Sequence, residues 1–349
     1  HMKQLMTGNE ALARGAWEAG VHFAAAYPGT PSTEIMENIS TYPEITSEWS
    51  PNEKVAYEAA YGAALAGGRA LASMKHVGLN VAADPMFTSV YMGVNGGMVI
   101  VSADEPGQHS SQNEQDNRNY AKAARLPMLE PSDSQECLDM MKAAFSLSEQ
   151  LDLPVLLRLT TRVCHSKSIV ETGGRAEIEV RPYQKNVAKT LTVPALARGM
   201  RLTLQKRVEA AAEVSESSPF TRAENGSGRI GVIASGICYC YAKEVFGEEA
   251  SFLKLGMTFP LPAKKIADLG HVIYATPEVS RMGGLPSTER SLFASISEKF
   301  TWMWLDFAMY KMAEYTTPSR IATVRSKTTV ASIVIKNWLI PDLNLWRKM

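Results

Sequence analysis

Short runs that are apolar at nearly every position, separated by longer helical segments, constrain this chain more than any other feature of it. From Thr7 a capping-box pattern, with Glu10 three residues on, opens an amphipathic helix that ends at Gly20, and residues 21–27 follow as a buried strand. Residues 45–49 read as a strand, 52–66 as an Ala-rich helix, and 70–75 and 98–102 as further strands. Residues 132–152 form a helix capped by Ser132 or Asp133, and 153–160 a strand rich in Leu and Val. Strands of this kind are covered on both faces, so the expected class is α/β: a mostly parallel sheet with helices on both sides.

A length of 349 residues gives a prior of about two domains. The first is expected over 3–172. After Gly173-Gly174 the sequence becomes charged and punctuated by proline, and 215–228 is polar, so 173–228 reads as a linker carrying an exposed helix. A second, smaller α/β unit is expected over 229–349, from a strand at 229–234, a turn at Ser235-Gly236, a helix at 239–246 and a strand at 251–255. Periodicity weakens from about Gly270. The aromatic cluster Trp302, Trp304, Phe307 and Tyr310 and the β-branched run 328–335 carry no fold assignment.

Charge excludes several functions. Lys+Arg and Asp+Glu both number 36, so no net field draws the chain to nucleic acid or to an anionic membrane. The four cysteines, Cys137, Cys164, Cys238 and Cys240, lack the CxxC groupings of iron–sulfur or structural zinc sites and are expected as reduced thiols. With no apolar run of the roughly 20 residues that span a bilayer and no signal-peptide pattern, the expected compartment is the cytoplasm. His1-Met2 reads as a cloning remnant.

Four polar segments fall where expected strands end: Tyr27-Pro28-Gly29-Thr30-Pro31-Ser32; Asn52-Glu53-Lys54-Val55; Lys75-His76-Val77-Gly78-Leu79-Asn80; and Gly107-Gln108-His109-Ser110-Ser111-Gln112-Asn113-Glu114. In open α/β sheets that edge is where ligands bind, because loops and helix N-termini converge there.

Together these segments resemble the α chain of the 2-oxoacid:ferredoxin oxidoreductases, and in detail the indolepyruvate type, over roughly residues 6–160. The resemblance extends in part to 230–262 through Gly231-Val232-Ile233-Ala234-Ser235-Gly236. It implies a pyrimidine-binding domain for thiamine diphosphate followed by a smaller domain like the transketolase C-terminal one. In that family a glutamate hydrogen-bonds the pyrimidine N1′ and favours the imino tautomer that activates the coenzyme. Spacing to Gly62-Ala63 carries that role to Glu53. The role needs a protonated carboxyl near neutral pH, a form that burial favours. Without the resemblance, Glu53 is a first-turn acid facing the helix dipole.

By the same resemblance Pro28, Gly29 and Gly78 border the coenzyme, and Thr30 matches a threonine that faces the 2-oxoacid carboxylate, although it is equally a turn residue. His76, His109, Gln112 and Asn113 are candidates for substrate, against a bland reading as packed or solvated loop residues. The implied reaction is oxidative decarboxylation of an aryl or other bulky 2-oxoacid to its acyl-CoA.

The departures are as informative. Pyruvate-specific relatives carry an arginine for the substrate carboxylate near the strand end that here reads Asp104-Glu105, and the GDG motif that holds the diphosphate and magnesium is absent. The resemblance therefore assigns diphosphate and magnesium to a partner subunit, and iron–sulfur clusters to a ferredoxin or iron–sulfur partner, in an oligomer whose further ligands are a 2-oxoacid and coenzyme A. No metal is assigned to this chain. Two alternatives stay open: a non-redox thiamine-dependent decarboxylase or synthase subunit, and a catalytically idle binding subunit or fragment.

Overall fold

The computed structural model describes residues 2–108, 110–228, 230–268 and 272–275. The aromatic cluster, the run 328–335 and His109 lie outside the described residues. The chain opens with β1 (Met2–Thr7) and α1 (Gly8–Glu18), whose expected capping box is present: Glu10 N donates to Thr7 Oγ1 and Thr7 N donates to Glu10 Oε2. Then come β2 (Phe23–Ala26), α2 (Thr33–Ile39), β3 (Thr46–Trp49), α3 (Glu53–Leu65) and β4 (Ala70–Lys75). These lead to α4 (His76–Val81), α5 (Ala83–Met92), β5 (Met98–Asp104), α6 (Arg118–Ala124) and β6 (Met128–Leu129). The first unit ends with α7 (Ser134–Leu151), β7 (Val155–Thr160), α8 (Thr161–His165) and β8 (Lys167–Thr172).

The second part holds α9 (Val187–Thr190), α10 (Pro194–Ser217), β9 (Arg222–Glu224), β10 (Ile230–Ser235) and α11 (Gly236–Phe246). It continues with β11 (Ala250–Leu255), β12 (Met257–Phe259), α12 (Ala263–Asp268) and β13 (Val272–Ala275).

Seven strands form the main sheet in the order β12-β6-β7-β5-β4-β2-β3, parallel throughout except for the antiparallel β12 at one edge. Every residue of β5 and β7 is buried, which is why their sequences alternate so little. Alanines at 24, 25 and 26 in β2 and at 56, 60 and 64 in α3 are buried, so helix and sheet pack on small side chains. A smaller sheet in the order β13-β10-β11-β9 forms the second α/β unit, with β10 parallel to both β11 and β13.

Three features depart from the expected organisation. β1 pairs antiparallel with β8, from Met2 opposite Thr172 to Thr7 opposite Lys167, so Met2, set aside as a remnant, begins a strand. The helix expected to be an exposed linker, α10, buries Met200, Leu204 and Ala211 against α5, α7 and β12, because its apolar positions recur at helical spacing. And β12, from the second unit's sequence, joins the first unit's sheet. The stretch before α10 is strapped down as well: Arg175 donates to the Trp17 and Val21 carbonyls, and Arg181 N to Gly67 O.

Candidate active site

The chain leaves β2 toward β3 on one side, returns through α3, and enters β4 on the other side of β2. Loops after β2 and β4 therefore diverge, and a crevice opens between them at the carboxyl edge of the sheet, the usual ligand position in such folds. All four polar segments singled out in the sequence border this edge.

Glu53 is the first residue of α3, which Asn52 caps by accepting from Val55 N at 3.0 Å. Its side chain turns inward, leaving the residue 8% exposed, and the carboxyl makes no hydrogen bond or ion pair with a described residue. It lies against Gly78 of α4: a Cβ at position 78 would stand 2.6 Å from both Cγ and Oε1 of Glu53. The bare backbone at 78 is what admits the acid.

The loop after β2 is pinned from within. Gly29 N donates to Thr33 Oγ1 at 2.8 Å, Ser32 Oγ donates to Gly29 O at 2.8 Å, and Asn9 Nδ2 reaches Pro31 O at 2.8 Å. Pro28 and Thr30 stay exposed on this fixed turn, and the Thr30 hydroxyl has no partner among the described residues. Gly29 packs on the stem of Lys75, with Cδ 3.1 Å from where a Cβ would be.

Glu105 organises the polar loop after β5. Its carboxylate accepts from Ser110 N at 2.9 Å, from the Ser110 hydroxyl at 3.0 Å and from the Ser111 hydroxyl. Burial opposes its charged form, but the Ser111 and Ser110 bonds together hold its pKa below the ordinary carboxylate value. Lys75 Nζ donates to Ser111 Oγ at 3.0 Å. His76 is fully buried; its Nε2 meets Asn113 O at 2.8 Å and its Nδ1 has no partner among the described residues. The Gln112 and Asn113 side chains are exposed, so this loop meets His76 through a backbone carbonyl rather than through the side chains the sequence pointed to.

Asp104 is committed elsewhere. It is wholly buried, accepts from Arg158 Nε at 2.7 Å, from Asn117 N at 3.0 Å and from Ser102 Oγ at 2.8 Å. Burial pushes its carboxyl up, against the pull of Arg158. Arg158 is itself buried and also meets Glu130 at 2.9 Å. The acids standing at Asp104-Glu105 are thus frame and loop anchor, not groups facing the crevice.

Sequence reasoning placed Lys75 and Ser111 in its polar segments without giving them a role, and missed Asn117 and Arg158. Only Lys75 carried a local signal, as the single charge closing the apolar strand β4. On the elements surrounding Glu53, the apolar side chains of Tyr27, Trp49, Val55, Val81 and Phe87 are exposed.

This arrangement defines an α/β protein of the class that binds its ligand in a switch-point crevice, with an acid presented on the first turn of a helix. The chain belongs to the pyruvate flavodoxin/ferredoxin oxidoreductase, thiamine diphosphate-binding family, whose pattern matches residues 14–217. It is 45% identical over 276 residues to the indolepyruvate oxidoreductase subunit IorA of Archaeoglobus fulgidus, covering 76% of this chain and 44% of that protein. It is 47% identical over 270 residues to the subunit of the same name from Methanothermobacter thermautotrophicus, covering 75% and 44%. The chain thus spans less than half the length of these relatives. A solved 2-oxoglutarate:ferredoxin oxidoreductase from Magnetococcus marinus, with 2-oxoglutarate, coenzyme A and succinyl-CoA bound, shares the fold. Its TM-score is 0.68 at 17% identity, over 86% of this chain and 61% of that one.

The residues present fit the pyrimidine half of thiamine diphosphate. Glu53 is a buried acid without a partner among the described residues, on a floor that any side chain at 78 would fill.

Proposed function

We propose that this chain is the pyrimidine-side subunit of a 2-oxoacid:ferredoxin oxidoreductase acting on an aryl 2-oxoacid of the indolepyruvate type. The observation that carries the reading is Glu53, buried and without a partner among the described residues at the switch-point crevice, against the backbone of Gly78. Bound thiamine diphosphate would supply the electron sink that decarboxylation of a 2-oxoacid requires.

The chain's own residues do the rest. Glu53 holds and returns a proton at the pyrimidine N1′, Gly78 and Gly29 let the ring approach backbone, and the exposed Thr30 hydroxyl faces the substrate. The diphosphate and magnesium fall to a partner chain, for which the exposed Tyr27, Trp49, Val55, Val81 and Phe87 offer an apolar seat. Electrons leave to an iron–sulfur partner, and coenzyme A takes the acyl group. The names of the relatives support the substrate class.

Calorimetry tests the split site. Thiamine diphosphate with magnesium should give no saturable heat with this chain alone and a clear isotherm with the complex copurified from the native host. Tight binding by the chain alone would overturn the division of the site, and no binding by the complex would overturn the reading as a whole.

A further inference from the structure

We infer that Lys75 is the cation that binds the carboxylate of the 2-oxoacid, an assignment that rests on the function proposed above. An anionic substrate in a crevice needs an opposing charge at its mouth, and the cations near this edge are not equivalent. Arg158 is buried and shared between Asp104 and Glu130, so its charge is already matched. Lys54 is already paired with Asp84 at 2.8 Å. Lys75 makes no ion pair with a described residue, and its only hydrogen bond among them is to the neutral Ser111 hydroxyl at 3.0 Å.

An ammonium has three N–H donors, so two remain for a carboxylate. Its position suits the task. Lys75 ends β4, one of the two strands that flank the switch point, three residues before the Gly78 on which Glu53 rests. Its stem lies on Gly29, next in the chain to the exposed Thr30. Half-burial fixes the stem while Ser111, anchored by Glu105, steadies the head. The free acid end of the substrate is thereby held at the β2–β4 rim, with its carbonyl directed toward the coenzyme that Glu53 faces.

The test uses the complete complex, with phenylpyruvate as the probe and wild type, Lys75→Gln and Lys75→Arg compared. Losing a charge-assisted contact should raise KM by about 10–100-fold in Lys75→Gln. Turnover at saturation, thiamine diphosphate affinity and melting temperature should change little, and Lys75→Arg should recover most of the KM. A second readout is inhibition by 3-phenylpropionate against its neutral amide: wild type should prefer the acid, and Lys75→Gln should treat the two alike. A KM within twofold of wild type in Lys75→Gln, or an undiminished preference for the acid, overturns the assignment while leaving the proposed function standing. A wild-type complex that binds the coenzyme but consumes no 2-oxoacid overturns that function, and this assignment with it.

Discussion

Glu53 and Gly78 touch, and each tests the other's part in the crevice. Glu53→Gln keeps the size of the side chain but cannot exchange a proton with a pyrimidine nitrogen, so activity of the complex should fall by about 10²–10⁴-fold with the fold intact. Glu58→Gln, on an exposed position of the same helix, should stay active in the same assay. Near-normal turnover by Glu53→Gln at saturating coenzyme would remove this acid from the reaction. Gly78→Ala attacks the same contact from the other side, because its methyl would sit 2.6 Å from the Glu53 side chain and displace it. The expected cost in stability is about 1–3 kcal/mol, the range for overpacking, accompanied by a loss of activity approaching that of Glu53→Gln. Thermal melts and turnover measured on one preparation separate the two effects.

At the level of elements, the loop between β5 and α6 is held largely by side-chain bonds, and Glu105 is their centre. Because the native pKa of Glu105 is lowered, its contribution is fully present above pH about 4.5, the ordinary value, and is lost as pH falls through the lower native pKa. The protection factors of the Ser110 and Ser111 amides should therefore hold steady from neutral pH down to that point and fall only below it. Loss of protection between pH 6 and 7 would mean that some other group orders the loop. Glu105→Gln should loosen the loop at every pH while leaving β5 protected. The sequence had marked this loop as polar and functional, yet its anchor is a buried carboxylate that the spacing of serines could not announce.

On the scale of the whole molecule, the two units are joined by charge as well as by the shared strand β12. Lys254 of β11 is fully buried and pairs with Glu136 of α7, which also accepts from the Ser132 hydroxyl at 2.8 Å and from Arg222 at 3.3 Å. Burial would raise the Glu136 carboxyl, but Lys254 and Ser132 hold it below its ordinary value. Glu136→Gln would leave the Lys254 ammonium buried without its paired carboxylate, a change that typically costs about 3–5 kcal/mol. A lowered melting temperature and earlier proteolytic cleavage between the units are expected. The double variant Glu136→Gln with Lys254→Met should regain part of the loss, since it removes the stranded charge; no recovery would show that the pair does not join the units as a pair.

Local physics was legible in the chain itself. Thr7 with Glu10 announced a helix start that hydrogen bonds then made, Asp133 proved to be the cap of the two residues offered, and strand 70–75 was found to the residue because a mostly apolar run closed by a lysine has few other readings. The position of Glu53 on the first turn of its helix was equally local. What the sequence could not determine depended on groups far apart in the chain. Residues 25 apart bring Gly78 under Glu53, 36 apart bring Ser111 to Lys75, and 118 apart bring Lys254 to Glu136. The pairing of β1 with β8, the apolar stripe of α10 and the crossing of β12 into the first sheet have the same origin. Each is a surface or a charge whose partner is chosen only when the sheet order is set, so tertiary packing alone decides whether a lysine is locked in an ion pair, as Lys254 is, or meets only a neutral hydroxyl among the described residues, as Lys75 does.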